Sequence, residues 1–352
     1  MVDTWGFYLF SSLEQSQAAD VDPKMIQQSF NTYMEIWRKC EEWGFDGLAF
    51  AEHHFHPLCL APSPHLIVSV VAGLTKHIRL TTLGTVLPLH DARRFVEECA
   101  MLDFITNGRF EPGIAPGAGT VEAKLCGVDA AEVRPRYYSG AELLAKALLG
   151  GPITHHDQFT KLTDVHLMPP LQQRAGRSVW VTVMSPESAA WTAKRAYRMC
   201  TSWLPTSGVI ALAEHYRAVA EAAGHPASPQ MLGLRRRVFV ADTDAEAKER
   251  YEQSVDLILT TAGQAFETVD EKVMARFLEP DDFVIGSPDT VAEKLVSQCE
   301  AGGFGVLMAL TDFALVGAEA LRRSHELIGT RVAPRLKSAN VAQVEQPAVA
   351  AC

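Results

Sequence analysis

Gly44-Phe-Asp-Gly-Leu-Ala-Phe-Ala-Glu-His-His-Phe-His56 is the stretch whose reading decides the fold. Asp46 to Ala51 is a short, mostly apolar run opened by a Gly-Phe-Asp-Gly turn, too short for a helix and suited to a buried parallel strand. It releases Glu52, His53, His54 and His56 at its end. A buried strand that ends in a burst of titratable groups is how α/β proteins place chemistry at the carboxyl edge of a sheet. Loop histidines are often satisfied by backbone partners alone, and at least one of these is read that way. Glu52 is available to orient another and fix its tautomer.

Working outward, the same grammar repeats. Apolar runs at 5–10, 78–86, 109–114, 178–183, 198–203, 232–241 and 304–310 read as further strands. Helical segments separate them. One begins after Asp22-Pro23 and runs to Trp43, and another starts at Pro62-Ser63-Pro64. Asp91 is a plausible N-cap for a third, and Gly302-Gly303 stops the penultimate one. Residues 150–177 are irregular, with a hairpin expected around 159–167. Eight strands alternating with helices, without a fixed repeat, predict a single (β/α)₈ TIM barrel over residues 1–338 and a disordered tail at 339–352. A doubly wound open sheet is the structural alternative. Polar clusters follow strands two, three, four, five, six and eight, and a closed barrel would gather them at one mouth.

Bulk properties narrow the function. The chain of 352 residues is 47% hydrophobic with a net charge of −10, which gives no electrostatic footprint for nucleic acid or an anionic membrane surface. Arg235-Arg-Arg237, at the start of an apolar strand, is too short a basic run to alter that. The 7 cysteines are scattered without a Cys-x-x-Cys pair, the usage of a reducing, cytoplasmic compartment. The first basic residue is Lys24, so no signal-peptide pattern is present, and no apolar run is long enough to span a membrane.

Gly44-Phe-Asp-Gly with Ala51-Glu-His-His-Phe55, Leu83-Gly-Thr-Val-Leu-Pro-Leu-His-Asp91, Leu102-Asp-Phe-Ile-Thr-Asn-Gly-Arg109 and Gly113-Ile-Ala-Pro-Gly117 together resemble the bacterial luciferase-like flavin-dependent monooxygenases. The likeness continues through Val179-Trp-Val, Trp191, Ser202-Trp203 and Gly286-Ser-Pro288, and covers most of residues 5–335. It implies a two-component enzyme that takes reduced FMN (FMNH2) from a separate flavin reductase and uses O2 to oxygenate an aldehyde, ketone, aromatic or biosynthetic intermediate. It also implies a homodimer built through helices near residues 63–105.

The resemblance assigns roles by position. His53 matches the histidine needed for chemistry, flanked by Glu52 and His54. Leu83 and Gly84 fall where the family has a bulge, often with a non-proline cis peptide, under the flavin ring. Ala115, Gly117 and Ala118 lie in the glycine-rich loop of the cofactor site. Ser185 and Ser188 match groups that hold the FMN phosphate, and a helix N-terminus favours an anion independently; plain N-capping is the simpler reading of both serines. Trp203 and His90 are placed at the substrate pocket, and 262–284 is read as a lid. Two positions depart from the family. Pro116 stands where an arginine often pairs with the phosphate, and Met184 replaces a common carboxylate. A deazaflavin-dependent oxidoreductase of the same superfamily is the first alternative. A metal-dependent barrel hydrolase using His54, His56 and Asp312 is a weaker one, since Met184-Ser185 and Trp203 stand where further histidine ligands would be wanted.

Overall fold

The computed structural model describes residues 1–11, 22–55, 59–117, 120–171, 179–201, 203–225, 227–253, 279–312 and 316–341. In chain order the elements are β1 (Asp3–Tyr8), α1 (Pro23–Trp43), β2 (Gly47–Phe50), α2 (Pro64–Leu74), β3 (Arg79–Thr82), β4 (Thr85–Val86), α3 (Ala92–Ile105), β5 (Phe110–Glu111), β6 (Gly113–Ala115), α4 (Thr120–Leu125) and α5 (Ala130–Leu149). A hairpin of β7 (Pro152–His156) and β8 (Lys161–His166) follows, then β9 (Trp180–Val183), α6 (Pro186–Ala193), β10 (Arg198–Thr201), α7 (Thr206–Ala222) and β11 (Leu232–Val240). After α8 (residues 244–253) come β12 (Phe283–Gly286), α9 (Pro288–Gly302), β13 (Val306–Leu310), α10 (Ala318–Leu327) and α11 (Ala333–Lys337).

The parallel pairings close on themselves. β13 pairs with β1, β1 with β2, β2 with β3, β3 with β5, β4 with β6, and β6 with β9; β9 pairs with β10, β10 with β11, and β11 with β13. With β3/β4 and β5/β6 each counted as one interrupted wall strand, this is the (β/α)₈ barrel read from the sequence. The interruptions differ from the unbroken strands expected at 78–86 and 109–114. The Leu83–Gly84 peptide is cis, and Pro112, with no N–H to give, splits the other strand while its carbonyl accepts from Trp180 N at 2.8 Å. β12 was not anticipated. It pairs with β11 along Arg237–Val240, so residues 279–284, expected to belong to a lid, are part of the fold. The rest of that lid, 262–278, lies outside the described residues.

Strand alternation makes two cores. Trp5, Phe7, Ala49, Met308, Leu310 and Trp180 point into the barrel, and Trp5 stands edge-on to Trp180 with centroids 5.8 Å apart. Gly47 leaves the space the Trp5 indole fills, since a Cβ there would sit 2.1 Å from that ring. Leu48, Phe50, Leu80, Ile114, Val181 and Leu307 face outward beneath the helices. Helix ends follow the expected signals. Asp22 caps α1 and Gly44 closes it in the left-handed conformation. Asp91 caps α3 by accepting from Arg93 N at 2.9 Å. Residues 339–341, expected to belong to the tail, pack on the fold: Ala339 and Val341 are buried, and Ala339 O accepts from the amino terminus at 2.7 Å; residues 342–352 lie outside the described residues.

Candidate functional site

The carboxyl ends of the wall strands surround a mostly apolar cavity of about 370 Å³. Its walls include Phe7 and Leu310 from β1 and β13, Glu52 and His53 beyond β2, Leu83 and Gly84 between β3 and β4, and Ala115 and Gly117 at the end of β6. Ser185 and Ser188 at the start of α6, Trp203 beyond β10 and Arg235 of β11 complete it. Of the residues singled out by sequence, His54 and His90 are not on this wall, and Ala118 and His56 lie outside the described residues.

Glu52, read as available to orient one of these histidines, orients His54 rather than His53. His54 Nε2 donates to Glu52 Oε1 at 2.8 Å, His90 Nε2 lies 2.9 and 3.0 Å from its two oxygens, and Val86 N donates to Oε2 at 3.1 Å. Burial pushes the Glu52 carboxyl up, but the bonds from His54 and His90, the His90 charge and the Val86 N–H outweigh it and hold the group at about 2. The same bond to Glu52 raises His54 above its ordinary 6.5, against the opposing effect of burial. His90 therefore braces Glu52 from behind instead of forming the substrate wall.

His53 has a different partner. Its Nδ1 lies 3.0 Å from Oε1 of Glu122 on α4. A carboxylate only accepts, so Nδ1 carries the proton and the lone pair of the neutral imidazole is on Nε2. Glu122 is pushed up by burial but brought below its ordinary value by that bond and by the His53 charge.

At the opposite end of the cavity, Ser185 and Ser188 form a reciprocal capping box. Ser185 Oγ accepts from Ser188 N at 3.2 Å, and Ser188 Oγ accepts from Ser185 N at 3.1 Å. Both hydroxyls thus cap the helix while bordering the cavity. Beside them stands Arg134 of α5, also on the wall, with Nη1 3.7 Å from Glu187 Oε1. Between the two ends the chain crosses Leu83–Gly84. A Cβ on Gly84 would come within 2.9 Å of Ala115 N and 2.7 Å of Ile114 C, so only glycine lets this strand lie so close to β6, and its backbone is part of the cavity wall. This glycine bed, the capping hydroxyls and the guanidinium of Arg134 match the needs of a planar ring carrying a phosphate tail.

Two residues of the hydrolase alternative, His54 and Asp312, are engaged elsewhere. His54 is on Glu52, and buried Asp312 accepts from Phe10 N at 2.5 Å and Ser11 N at 3.3 Å. Among the described residues no group of three or more His, Cys, Asp or Glu is placed to hold a metal ion.

The luciferase-like monooxygenase family model matches residues 7–304. The chain belongs to that family. It is 28% identical over 325 residues to 4-hydroxyprotoasukamycin monooxygenase of Streptomyces nodosus subsp. asukaensis, covering 86% of this chain and 87% of the relative. Among solved structures, the oxygenating constituent of 3,6-diketocamphane monooxygenase from Pseudomonas putida, a type II Baeyer-Villiger monooxygenase in complex with FMN, superposes with a TM-score of 0.77 at 21% identity, covering 95% of this chain and 98% of that one. The coenzyme F420-dependent tetrahydromethanopterin reductase of Methanopyrus kandleri gives 0.70 at 15% identity, covering 95% and 99%. Both likenesses are of fold.

Sequence reading missed Glu122, Arg134 and Arg235. Glu122 is 69 residues from its partner, and nothing local to either marks the pairing. Arg235 carried a signal that was passed over: in a strand with period two, 235 and 237 share the face opposite 236.

Proposed function

We propose that this chain is the oxygenating component of a two-component monooxygenase that receives reduced FMN from a separate reductase and adds one atom of O2 to a small organic substrate. The observation that carries the reading is the convergence on one cavity of the Gly84 bed, the Arg134–Ser185–Ser188 end and the His53–Glu122 pair. Reduced FMN, when bound, supplies the electrons that activate oxygen. Arg134 offers the charge that Pro116 does not, and the Ser185 and Ser188 hydroxyls with the α6 N-terminus complete the phosphate contacts. The apolar walls exclude water. His53, held in one tautomer by Glu122, accepts or donates a proton at Nε2.

The test is oxygen uptake with chemically reduced FMN against a panel of aldehydes, ketones and phenols, with ¹⁸O2 to follow the label. Substrate-dependent uptake with label in the product is expected. Absence of label in every product would overturn the reading. The fold likeness to the F420-dependent reductase favours one alternative, a deazaflavin-dependent oxidoreductase. Anaerobic turnover with reduced deazaflavin would select it.

A homodimer is part of the proposal. Leu66, Val70 and Leu74 line one exposed face of α2, and Met101, Phe104 and Ile105 are exposed on α3 beside it. No helix among the described residues is long and apolar enough to cross a membrane. Among the described residues, Cys40, Cys59, Cys126, Cys200 and Cys299 are free thiols, which supports a cytoplasmic setting.

A further inference from the structure

Three successive arginines of β11 converge on one buried carboxylate. Arg235 Nη2 donates to Asp282 Oδ2 at 2.8 Å, Arg237 Nη1 stands 2.9 Å from the same oxygen, and Arg236 Nη1 lies 3.7 Å from Oδ1. All four side chains are almost fully buried. A buried guanidinium is costly unless acceptors meet each of its donor nitrogens. Arg237 shows the effect: burial first, then the Arg235 charge, pushes it down to about 9. Arg236 turns to the outer face, where Nε donates to Gln298 Oε1 at 2.8 Å and Nη1 to the Leu204 carbonyl at 3.3 Å.

Arg235 is the member that borders the cavity. It is 2% exposed, its Cζ lies 5.6 Å from the centre of the Trp203 ring, and its Nε and Nη1 have no hydrogen-bond acceptor among the described residues. A buried guanidinium with two donor nitrogens unmet beside a cavity is a half-built anion site. Its place says which anion. The Leu83–Gly84 bed is on the third wall strand and Arg235 on the seventh, so they stand on opposite walls of the ring of eight. The phosphate end is held by the fifth strand and α6. A ring lying on the bed with its phosphate there leaves Arg235 facing the opposite side, where the organic substrate must lie. The neighbours on that wall are Trp203, Phe7 and Leu310, which suit a flat apolar body.

We infer that Arg235 receives the anionic group, a carboxylate or an equivalent oxyanion, of a substrate whose remaining body is apolar and flat. This substrate class rests on the flavin reading above. The test is isothermal titration of the full chain, with and without oxidised FMN, using 2-naphthoate and its neutral counterpart 2-naphthamide as probes. The wild type is expected to bind the acid about tenfold or more tighter than the amide. Arg235→Met is expected to remove that preference by weakening the acid alone, with FMN affinity unchanged within about twofold. Equal binding of acid and amide by the wild type, a preference that survives in Arg235→Met, or a loss confined to FMN would overturn the inference. Where Arg235→Met does not fold, Arg235→Lys is measured: a reduced acid preference with unchanged amide binding supports the site, and an unchanged preference overturns it. Failure of FMN to bind, with an Arg235-dependent acid preference intact, would remove the flavin reading and keep the anion site.

Discussion

Two carboxylate–imidazole clusters leave the end of β2 one residue apart, and they are built for opposite purposes. Glu52 is withdrawn from water and takes three donors, from His54, His90 and the Val86 backbone. Every contact is internal and ties the β2 end to the segment after β4. His53 pairs through Nδ1 with Glu122, on a short helix, and its side chain keeps about a quarter of its exposure. A saturated cluster fixes backbone. An imidazole held through Nδ1 has Nε2 as its basic atom. Under the proposed function, the histidine next to the best-formed hydrogen-bond network is not the one that moves the proton.

The comparison breaks most directly at His53. His53→Ala is expected to lower kcat by about 10²–10⁴-fold, the range of general acid–base catalysis, with the thermal transition and FMN affinity nearly unchanged. Steady-state oxygen uptake with calorimetry checks both halves, and full activity would remove His53 from the chemistry. Glu52→Gln should do the reverse. The folded-state value of Glu52 is about 2, below its ordinary 4.5. Its contribution is therefore present above pH 4.5 and lost as pH falls toward 2. That contribution is on the order of 3 kcal/mol, so the variant should be less stable by that amount at pH 7 and lose less on acidification below 4.5. His54 is raised, so its share is complete below pH 6.5 and fades as pH rises through its folded value. It is the same bond seen from the other partner and is not added twice. Denaturant titrations from pH 2 to 8 would show whether the acid limb flattens.

The end of β2, the Leu83–Gly84 crossing and the Ser185 cap were legible because each is written in a few adjacent residues: an apolar run cut off by charge, a glycine inside a β-branched strand, a Ser-Pro helix start. The resemblance supplied the cis peptide and the functional labels. What the sequence did not reveal were partnerships across the barrel. Glu122 reaches His53 only because the fold brings α4 to the end of β2, and Arg134 reaches Glu187 only because α5 passes beside the start of α6. β12 was hidden because its few apolar residues follow a long charged segment, and only pairing with the end of β11 makes them a strand.

Smaller effects sharpen the comparison. Glu122→Gln keeps an acceptor for Nδ1–H but removes the charge that stabilises the imidazolium. It is expected to lower kcat by about tenfold with KM and the thermal transition nearly unchanged. A merely structural Glu122 would lower stability and leave kcat in place, so the split between kcat and stability is the deciding measurement. His90→Gln removes one donor from Glu52 and leaves His54 and Val86 in position. Its cost should be about 1 kcal/mol of stability, with kcat within about twofold of wild type because the change is one carboxylate removed from the cavity wall. A kcat loss as large as that of Glu122→Gln would mean the two clusters act as one, and that Glu52, through the backbone it fixes, sets where His53 stands.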